Sequence, residues 1–279
     1  MTGEFLNLFE GWLSSHIDEA RSNHLVAPLL LQSQEYSLRS GGKRFRPHLA
    51  YLVYKVFADD VHKIKSLCLA LEMIHTYSLI HDDLPCMDND DFRRGKPSNH
   101  KQFSEDIALL AGDGLLTDVF LLLSSDRNLS AEVKVHLIRL LADKIGSNGM
   151  VSGQIRDMQA GRDVSLAELV AIHTLKTANL IQASAVGAGI VAEVSESELH
   201  NISEFSYFLG MAFQIKDDLL DLGDKEQDFK SFAAVLGPEA TLAELKKYSA
   251  KAAHHLALLN KPDIKDLAEL IEFNLQRDA

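Results

Sequence analysis

The chain is poor in the residues that staple or interrupt a fold. Only Cys68 and Cys86 are cysteines, too few for a disulfide framework and without metal-ligand spacing. Proline is held to six residues, so helices can run with few breaks. Basic residues are outnumbered, 28 Lys and Arg against 40 Asp and Glu, for a net charge of −12. That balance argues against nucleic acid as the main ligand. No run approaches about eighteen consecutive apolar residues, so no membrane insertion is expected. The opening Met1-Thr2-Gly3-Glu4-Phe5-Leu6 has no basic stretch leading into a long apolar one, so it does not read as a secretory signal. A reducing cytoplasm is the expected location.

Two further absences narrow the chemistry. GxxxxGK[ST] does not occur, which removes nucleotide hydrolysis on a P-loop. No Ser or Cys stands in a plausible triad, so a side-chain nucleophile is not expected.

What remains is helical. From Ile202 to Leu222 the apolar positions Ile202, Phe205, Leu209, Ala212, Ile215, Leu219 and Leu222 step by three or four, the period of one helix face. Ser165-x-x-Glu168, Ser195-x-x-Glu198 and Thr241-x-x-Glu244 read as capping boxes, and Pro262-Asp263 as another helix start. No strand–turn–strand alternation stands out, and Phe92–Lys101 and Leu222–Ser231 read as loops. The pattern predicts an all-α chain of about ten or more helices. Without repeats, low-complexity tracts or a Gly/Ser/Pro linker, one domain over residues 1–279 is expected.

Carboxylates are crowded at two places. Asp82-Asp83-Leu84-Pro85-Cys86-Met87-Asp88 and Asp217-Asp218-Leu219-Leu220-Asp221 each sit in an apolar, helix-forming stretch. A like-charge pair at about 4 Å costs roughly 4 kcal/mol at an effective dielectric near 20. Such clusters need water, a proton or a cation, and two of them suggest one shared cation site. A single Asp run is usually a solvated loop, and a calcium loop fails because the twelve-residue pattern is not met after Asp88. Oxygen donors without Cys or paired His suit a hard ion, and Mg2+ usually arrives with substrate phosphates.

Asp217 and Asp221, four apart, share a helix face. Asp218 points off that line. Asp82 and Asp88 would be out of phase on a continuous helix. Pro85 is expected to end or kink it, letting Asp88 swing back, with the helix stopping near Leu84 to Met87.

Cations lie where an anion would need them. Gly41-Gly42-Lys43-Arg44-Phe45-Arg46-Pro47 places three of them between a Gly-Gly turn and a helix expected to start near Pro47, and helix N-termini favour anions. Taken alone these are ordinary surface cations at a turn. His75 precedes Asp82 on the same expected helix face, where a substrate contact competes with the reading of a core histidine. Lys176, Thr177 and Gln214 are polar residues inside helical stretches, able to face a cavity or simply bridge the core.

These residues resemble a known family. GGKRFRP (41–47), EMIHTYSLIHDDLPCMDNDDFRRGKPSNH (72–100), LLAGDGLL (109–116), GMVSGQ (149–154), LKTANLI (175–181) and GMAFQIKDDLLD (210–221) together are similar to the short-chain trans-polyprenyl diphosphate synthases, from about Leu31 to Arg277. The resemblance implies the isoprenoid synthase fold, a single-domain helical bundle around a central cavity, a homodimer, and Mg2+ as cofactor. It implies a prenyltransferase that condenses isopentenyl diphosphate with dimethylallyl or geranyl diphosphate to farnesyl diphosphate.

It also implies roles. Asp82 and Asp88 would hold Mg2+ on the allylic diphosphate with Asp83 in support, and Asp217 a further Mg2+, with Asp221 acting directly or through water. Lys43, Arg46, His75 and Arg94 would bind the diphosphate of isopentenyl diphosphate. Arg93, Lys176 and Lys216 or a later lysine would grip the allylic diphosphate. Thr177 and Gln214 would lie near the carbocation. Tyr77, five residues before Asp82, would floor the cavity for the growing tail.

The chain departs from the family after Asp221, where the loop to Phe232 is short and Lys225 or Lys230 must stand in for its usual lysine. Ser152 and Ala178 replace glycines, and Arg277 matches a C-terminal arginine that helps close the site. The alternatives are a geranyl or geranylgeranyl product, a silent partner subunit, which should lack an acidic motif or the cations, and a terpene cyclase, which would not need Lys43, Arg46 and Arg94.

Overall fold

The computed structural model describes residues 3–222 and 229–277. Fourteen α-helices and one π-helical turn occur among them, with a single pair of two-residue strands. The chain divides into two compact units, Met1–His48 with Val61–Lys134 and Leu49–Asp60 with Val135–Ala279.

The first unit contains α1 (Gly3–Ser22), α2 (Pro28–Leu38), the start of α3 (Phe45–Phe57), α4 (Val61–Asp82), β1 (Phe92–Arg93), β2 (Lys96–Pro97), α5 (Asn99–Gln102) and α6 (Glu105–Ser125). Helix α1 turns Phe5, Phe9, Trp12, Leu13 and Ile17 inward, the stripe expected of an amphipathic helix. Each such side chain contributes about 1.5–3 kcal/mol on full burial. Helix α4 differs: Ile64, Leu67, Cys68, Leu69, Ala70, Leu71, Met73 and Ile74 are buried in an almost unbroken run, which marks a central helix. Its main partner in this unit is α6.

A buried ion pair closes this unit. Arg44 is 3% exposed and Glu72 2%. The Arg44 guanidinium donates to Glu72 at 2.6 Å and to the Leu38 carbonyl at 2.8 Å, and pairs with Glu10 at 2.9 Å. It also lies over the Phe9 ring at 5.5 Å.

The second unit holds most of α7 (Ala131–Ile145), then α8 (Met150–Gln159), α9 (Leu166–His173), the π-helical turn Thr174–Ala178, α10 (Asn179–Val191), α11 (Glu196–Leu220), α12 (Phe232–Leu236), α13 (Pro238–Ala257) and α14 (Lys265–Gln276). The α11–α13 pair is its most extensive packing. Leu169, Ala178, Met211, Ala212, Ile215, Phe232 and Leu245 form one buried cluster.

Several local expectations are corrected. Helix α4 ends at Asp82, two residues before the expected range, because Pro85 disfavours the helical conformation at Leu84 and cannot donate. Helix α3 starts at Phe45, so Pro47 sits in its first turn, where a missing donor costs nothing. Thr241 is not a cap: α13 already begins at Pro238 after Gly237, and the Thr241 hydroxyl donates back to the Gly237 carbonyl at 2.8 Å. Helix α14 begins at Lys265, not Pro262. Ser195 does make the full capping box, and Ser165 accepts from the Glu168 amide.

The loop expected over 92–101 contains the antiparallel strand pair and α5. Arg94 and Gly95 take φ of 54° and 75° between the strands, the geometry of a tight hairpin turn. Two residues per strand are too few for alternation to show in sequence. The expectation that no segment could span a membrane meets one exception, since α6 is long and apolar enough by composition. A core helix passes the same test, and α6 buries Ala108, Ala111, Gly112, Leu115, Val119 and Leu123.

Candidate active site

In the first unit the acidic motif lies at the C-terminal end of α4. Once Pro85 has broken the helix, the Asp88 amide donates to the Asp82 carbonyl at 2.9 Å and the Asn89 amide to the Leu84 carbonyl at 3.1 Å. This wraps the six residues after Asp82 into a compact turn. Asp82 is half-buried and Asp88 exposed. Asp83 is buried, and its Oδ1 accepts from Arg93 Nε at 2.9 Å and from Arg93 Nη2. Burial, helped by Asp90, holds the Asp83 carboxyl above its ordinary value against the pull of Arg93. Asp83 and Arg93, read from sequence as metal support and diphosphate grip, are therefore engaged with each other. Arg93 Nη2 also reaches Asp90 at 3.1 Å.

Arg94 projects from the hairpin turn to the Gly41-Gly42 turn. Its Nη1 donates to the Gly41 carbonyl. A Cβ on Gly42, whose φ is 121°, would come within 2.6 Å of the Arg94 guanidinium, so the glycine is required by both conformation and space. The surroundings are cationic. Burial comes first, and Arg46, Arg94, Arg44 and Arg93 add to it, in holding His75 well below its ordinary value and hence neutral. Burial, with Arg44 and Arg93, likewise lowers Arg94 against the influence of Glu72. Burial and the four guanidiniums together disfavour the imidazolium form. Lys43 lies exposed at the start of the same segment.

Tyr77 is 6% exposed, and burial followed by the Asp82 charge pushes its phenol up to about 12. Its ring meets His81 edge-on at 5.8 Å. His81 Nε2 lies 3.1 Å from the Leu109 carbonyl of α6.

In the second unit a cavity of about 130 Å³ is lined by residues that include Asp157, Lys176, Thr177, Gln214, Asp218, Asp221 and Lys230. Lys176 and Thr177 sit on the π-helical turn, a distortion common at functional sites. Gly153 of α8 permits it: a Cβ there would lie 2.5 Å from the Lys176 amide nitrogen. Lys176 Nζ donates to Asp157 Oδ2 at 2.5 Å, and Lys230 Nζ lies 3.3 Å from Asp157 Oδ1. Burial alone would raise the Asp157 carboxyl, but the two lysines outweigh it and hold it below its ordinary value.

Thr177 Oγ1 donates to Gln214 Oε1 at 3.0 Å, and Gln214 Nε2 donates to Asp218 Oδ1 at 3.1 Å. Asp218 Oδ2 accepts from the Phe232 amide at 2.7 Å and from His173 Nε2 at 3.2 Å. That chain fixes the Gln214 amide and leaves the Thr177 oxygen able to accept. Asp218 is thus an internal anchor. Asp217 does not line this cavity; its Oδ1 lies 2.6 Å from Arg277 Nη2. Burial, with Asp221 and Asp218, raises the Asp217 carboxyl, and Arg277 offsets this only in part. Lys216 Nζ donates to the Leu275 carbonyl at 3.3 Å, and Lys225 lies outside the described residues.

Sequence reasoning missed Asp157, His173 and the anchoring role of Arg44. Asp157 stands three positions past GMVSGQ, in step with Gly153 on one helix face, which was the available signal. His173 carried none.

Among the described residues no three His, Cys, Asp or Glu side chains converge as a ready-made metal cage. Mg2+ is commonly bound through one or two carboxylates plus substrate phosphates. The oxygen donors here, offered singly or in pairs and raised by burial at Asp217, fit that ion.

The sequence matches the polyprenyl synthetase family over residues 27–236. It is 40% identical over 291 positions to the farnesyl diphosphate synthase of Micrococcus luteus, covering 100% of this chain and 97% of that one. It is 37% identical over 262 positions to a chloroplastic geranylgeranyl pyrophosphate synthase of Catharanthus roseus, covering 88% and 73%. The fold matches a geranyltransferase from Legionella pneumophila with a TM-score of 0.89 at 34% identity, covering 98% and 95%. It also matches one from Helicobacter pylori, crystallised with magnesium and isoprenyl diphosphate, at 0.76 and 29% identity, covering 99% and 96%. With its all-helical isoprenoid synthase fold, the chain belongs to the polyprenyl synthetase family and is a prenyltransferase, a polyprenyl diphosphate synthase.

Proposed function

We propose that the enzyme condenses isopentenyl diphosphate with dimethylallyl and then geranyl diphosphate to make farnesyl diphosphate, with Mg2+ as cofactor. The observation that carries this reading is the gathering of Arg46, Arg94, Arg44 and Arg93 around His75, on the same helix as Asp82. An anion site and a carboxylate pair in one unit suit a diphosphate together with its counter-ion.

Arg46, Arg94, His75 and Lys43 bind the diphosphate of isopentenyl diphosphate. Lys176 and Lys230 grip the allylic diphosphate, with Asp157 holding both ammonium groups ready; Arg93 contributes when it leaves Asp83. Asp82, Asp88 and Asp217 are the Mg2+ ligands. Bound Mg2+ supplies Lewis-acid neutralisation of the departing diphosphate. The allylic C–O bond breaks, its electron pair leaving with the diphosphate. The oxygens of Thr177 and Gln214 face the carbon that has become positive. The alkene of isopentenyl diphosphate then forms the new C–C bond, and the proton lost from the adjacent carbon passes to the released diphosphate.

Product length rests on Tyr77. It is buried, lies five residues before Asp82, and is supported edge-on by His81. A bulky, well-packed ring is a fit floor for a C15 tail. A geranylgeranyl product is the second reading, favoured by the similarity to geranylgeranyl synthases. We also assign a homodimer, supported by Leu109, Leu110 and Leu121, which leave α6 46%, 55% and 64% exposed.

Incubating the enzyme with isopentenyl and dimethylallyl diphosphates and Mg2+, then sizing the products, tests the reading. C15 with metal and nothing after chelation is expected. A C20 main product selects the second reading, and no condensation overturns both. Tyr77→Ala is expected to lengthen the product by at least one isoprene unit. An unchanged chain length would remove Tyr77 as the floor.

A further inference from the structure

Gly112 stands inside α6, where glycine is disfavoured against alanine. Its backbone is helical, so conformation does not call for it. Space does. A Cβ at Gly112 would run into His81 Nε2 and lie 2.5 Å from Cδ2 and 2.9 Å from Cε1 of the same ring. The imidazole of α4 is therefore seated in the gap that the missing side chain leaves in α6.

The ring is held in that seat from several sides. Its Nε2 lies 3.1 Å from the Leu109 carbonyl. A carbonyl only accepts, so Nε2 carries the proton and donates. Asp113 Oδ1 lies 3.8 Å from the same nitrogen. Along α4, Tyr77 is four positions back on the same helix face, and the two rings meet edge-on at 5.8 Å.

We propose that the Gly112–His81 contact helps to set product length: α6 seats His81, and His81 holds the Tyr77 ring across the end of the tail cavity. The inference rests on Tyr77 being the floor, as proposed above. It makes His81 a positioning residue and Gly112 the gap that admits it. An edge-to-face pair is directional. Without the imidazole the phenol ring can turn aside, opening depth for another isoprene unit with position 77 unchanged. Filling the gap at Gly112 drives the imidazole off the Leu109 carbonyl, and the same support is lost.

The test supplies labelled isopentenyl diphosphate, dimethylallyl diphosphate and Mg2+, and sizes the products by chromatography. Wild type is compared with Tyr77→Ala, His81→Ala, Gly112→Ala, His81→Ala/Gly112→Ala and Tyr77→Ala/His81→Ala. His81→Ala and Gly112→Ala are each expected to raise the ratio of next-longer to wild-type product about three- to tenfold, the size of one edge-to-face pair. Each double variant should do no more than its stronger parent, because the changes act through one chain of contacts. In ligand-free enzyme carrying 3-fluorotyrosine, the Tyr77 fluorine resonance, assigned with Tyr77→Phe, should shift in both His81→Ala and Gly112→Ala.

A wild-type product distribution in His81→Ala and Gly112→Ala, with a longer product from Tyr77→Ala, overturns the inference and leaves Tyr77 as the floor. So does a shorter product from either variant, or additive lengthening in Tyr77→Ala/His81→Ala, which would make His81 independent of the phenol. Unchanged chain length in Tyr77→Ala overturns the floor and the inference together. Should Gly112→Ala fail to fold, His81→Phe decides, since it keeps an aromatic edge and gives up the bond to Leu109. A ratio between wild type and His81→Ala supports the seat, and either extreme refutes it.

Discussion

The two units answer the same electrostatic problem with opposite signs. In the first, positive charge is gathered: four arginines bear on His75, and of these Arg44 is paired with Glu72 and Arg93 with Asp83. In the second, negative charge is in excess at one helix end, where Asp217, Asp218 and Asp221 fall within five positions and both Asp221 and Asp218 raise Asp217. One region gathers guanidiniums and the other carboxylates.

The largest expected effect tests whether both acidic motifs matter. Asp82→Ala and Asp217→Ala should each lower kcat/KM by about 10²–10³-fold, in the range for removing a group that stabilises charge in the transition state. Steady-state kinetics at saturating Mg2+ would show it. Near-wild-type activity in Asp217→Ala would break the symmetry and leave the first unit as the sole metal site.

Next in size is a stability effect confined to the first unit. Arg44→Met leaves Glu72 buried without its partner, and breaking a buried pair costs about 3–5 kcal/mol. Thermal melts should show a clear fall in Tm, partly recovered in Arg44→Met/Glu72→Met. Asp157→Asn, between two half-exposed lysines, should change Tm far less. A large loss there instead would mean that the second unit depends on its ion pairs as much as the first.

The smallest effect concerns pH. His75 is held below its ordinary value of 6.5, so the unfolded chain binds more protons than the folded one in the window beneath 6.5. Stability is therefore complete above about pH 6.5 and declines as pH falls through it. His75→Gln should flatten that part of the pH–stability curve. Binding of inorganic diphosphate should do the reverse, taking up protons near pH 6, which calorimetry in buffers of different ionisation enthalpy would detect. Absence of both signals would remove the anion site around His75.

Much of this was legible because it depends on local pattern. The period of α11, the box at Ser195 and the break at Pro85 follow from spacing and from proline's missing donor. The acidic motifs were legible because clustered carboxylates demand compensation wherever they lie. What could not be read depends on partners distant in sequence. Arg44 looks like its neighbours Lys43 and Arg46, and only Glu72, 28 positions on, makes it an anchor. Asp83 belongs by sequence with Asp82, yet Arg93 claims it. Thr241 fits the pattern of a cap, but Pro238 starts the helix first.

The turn at Thr174–Ala178 carries one residue more than a regular α-helix would use there. Deleting a single residue would let the backbone relax into ordinary winding, and the helix itself would gain by it. The same change would leave the flanking helices in register but move the residues inside the turn by one position, about 100° around the axis, carrying Lys176 or Thr177 off the cavity wall. The irregularity therefore acts as a register setting, stored in the length of the chain and beyond the reach of any single side-chain replacement.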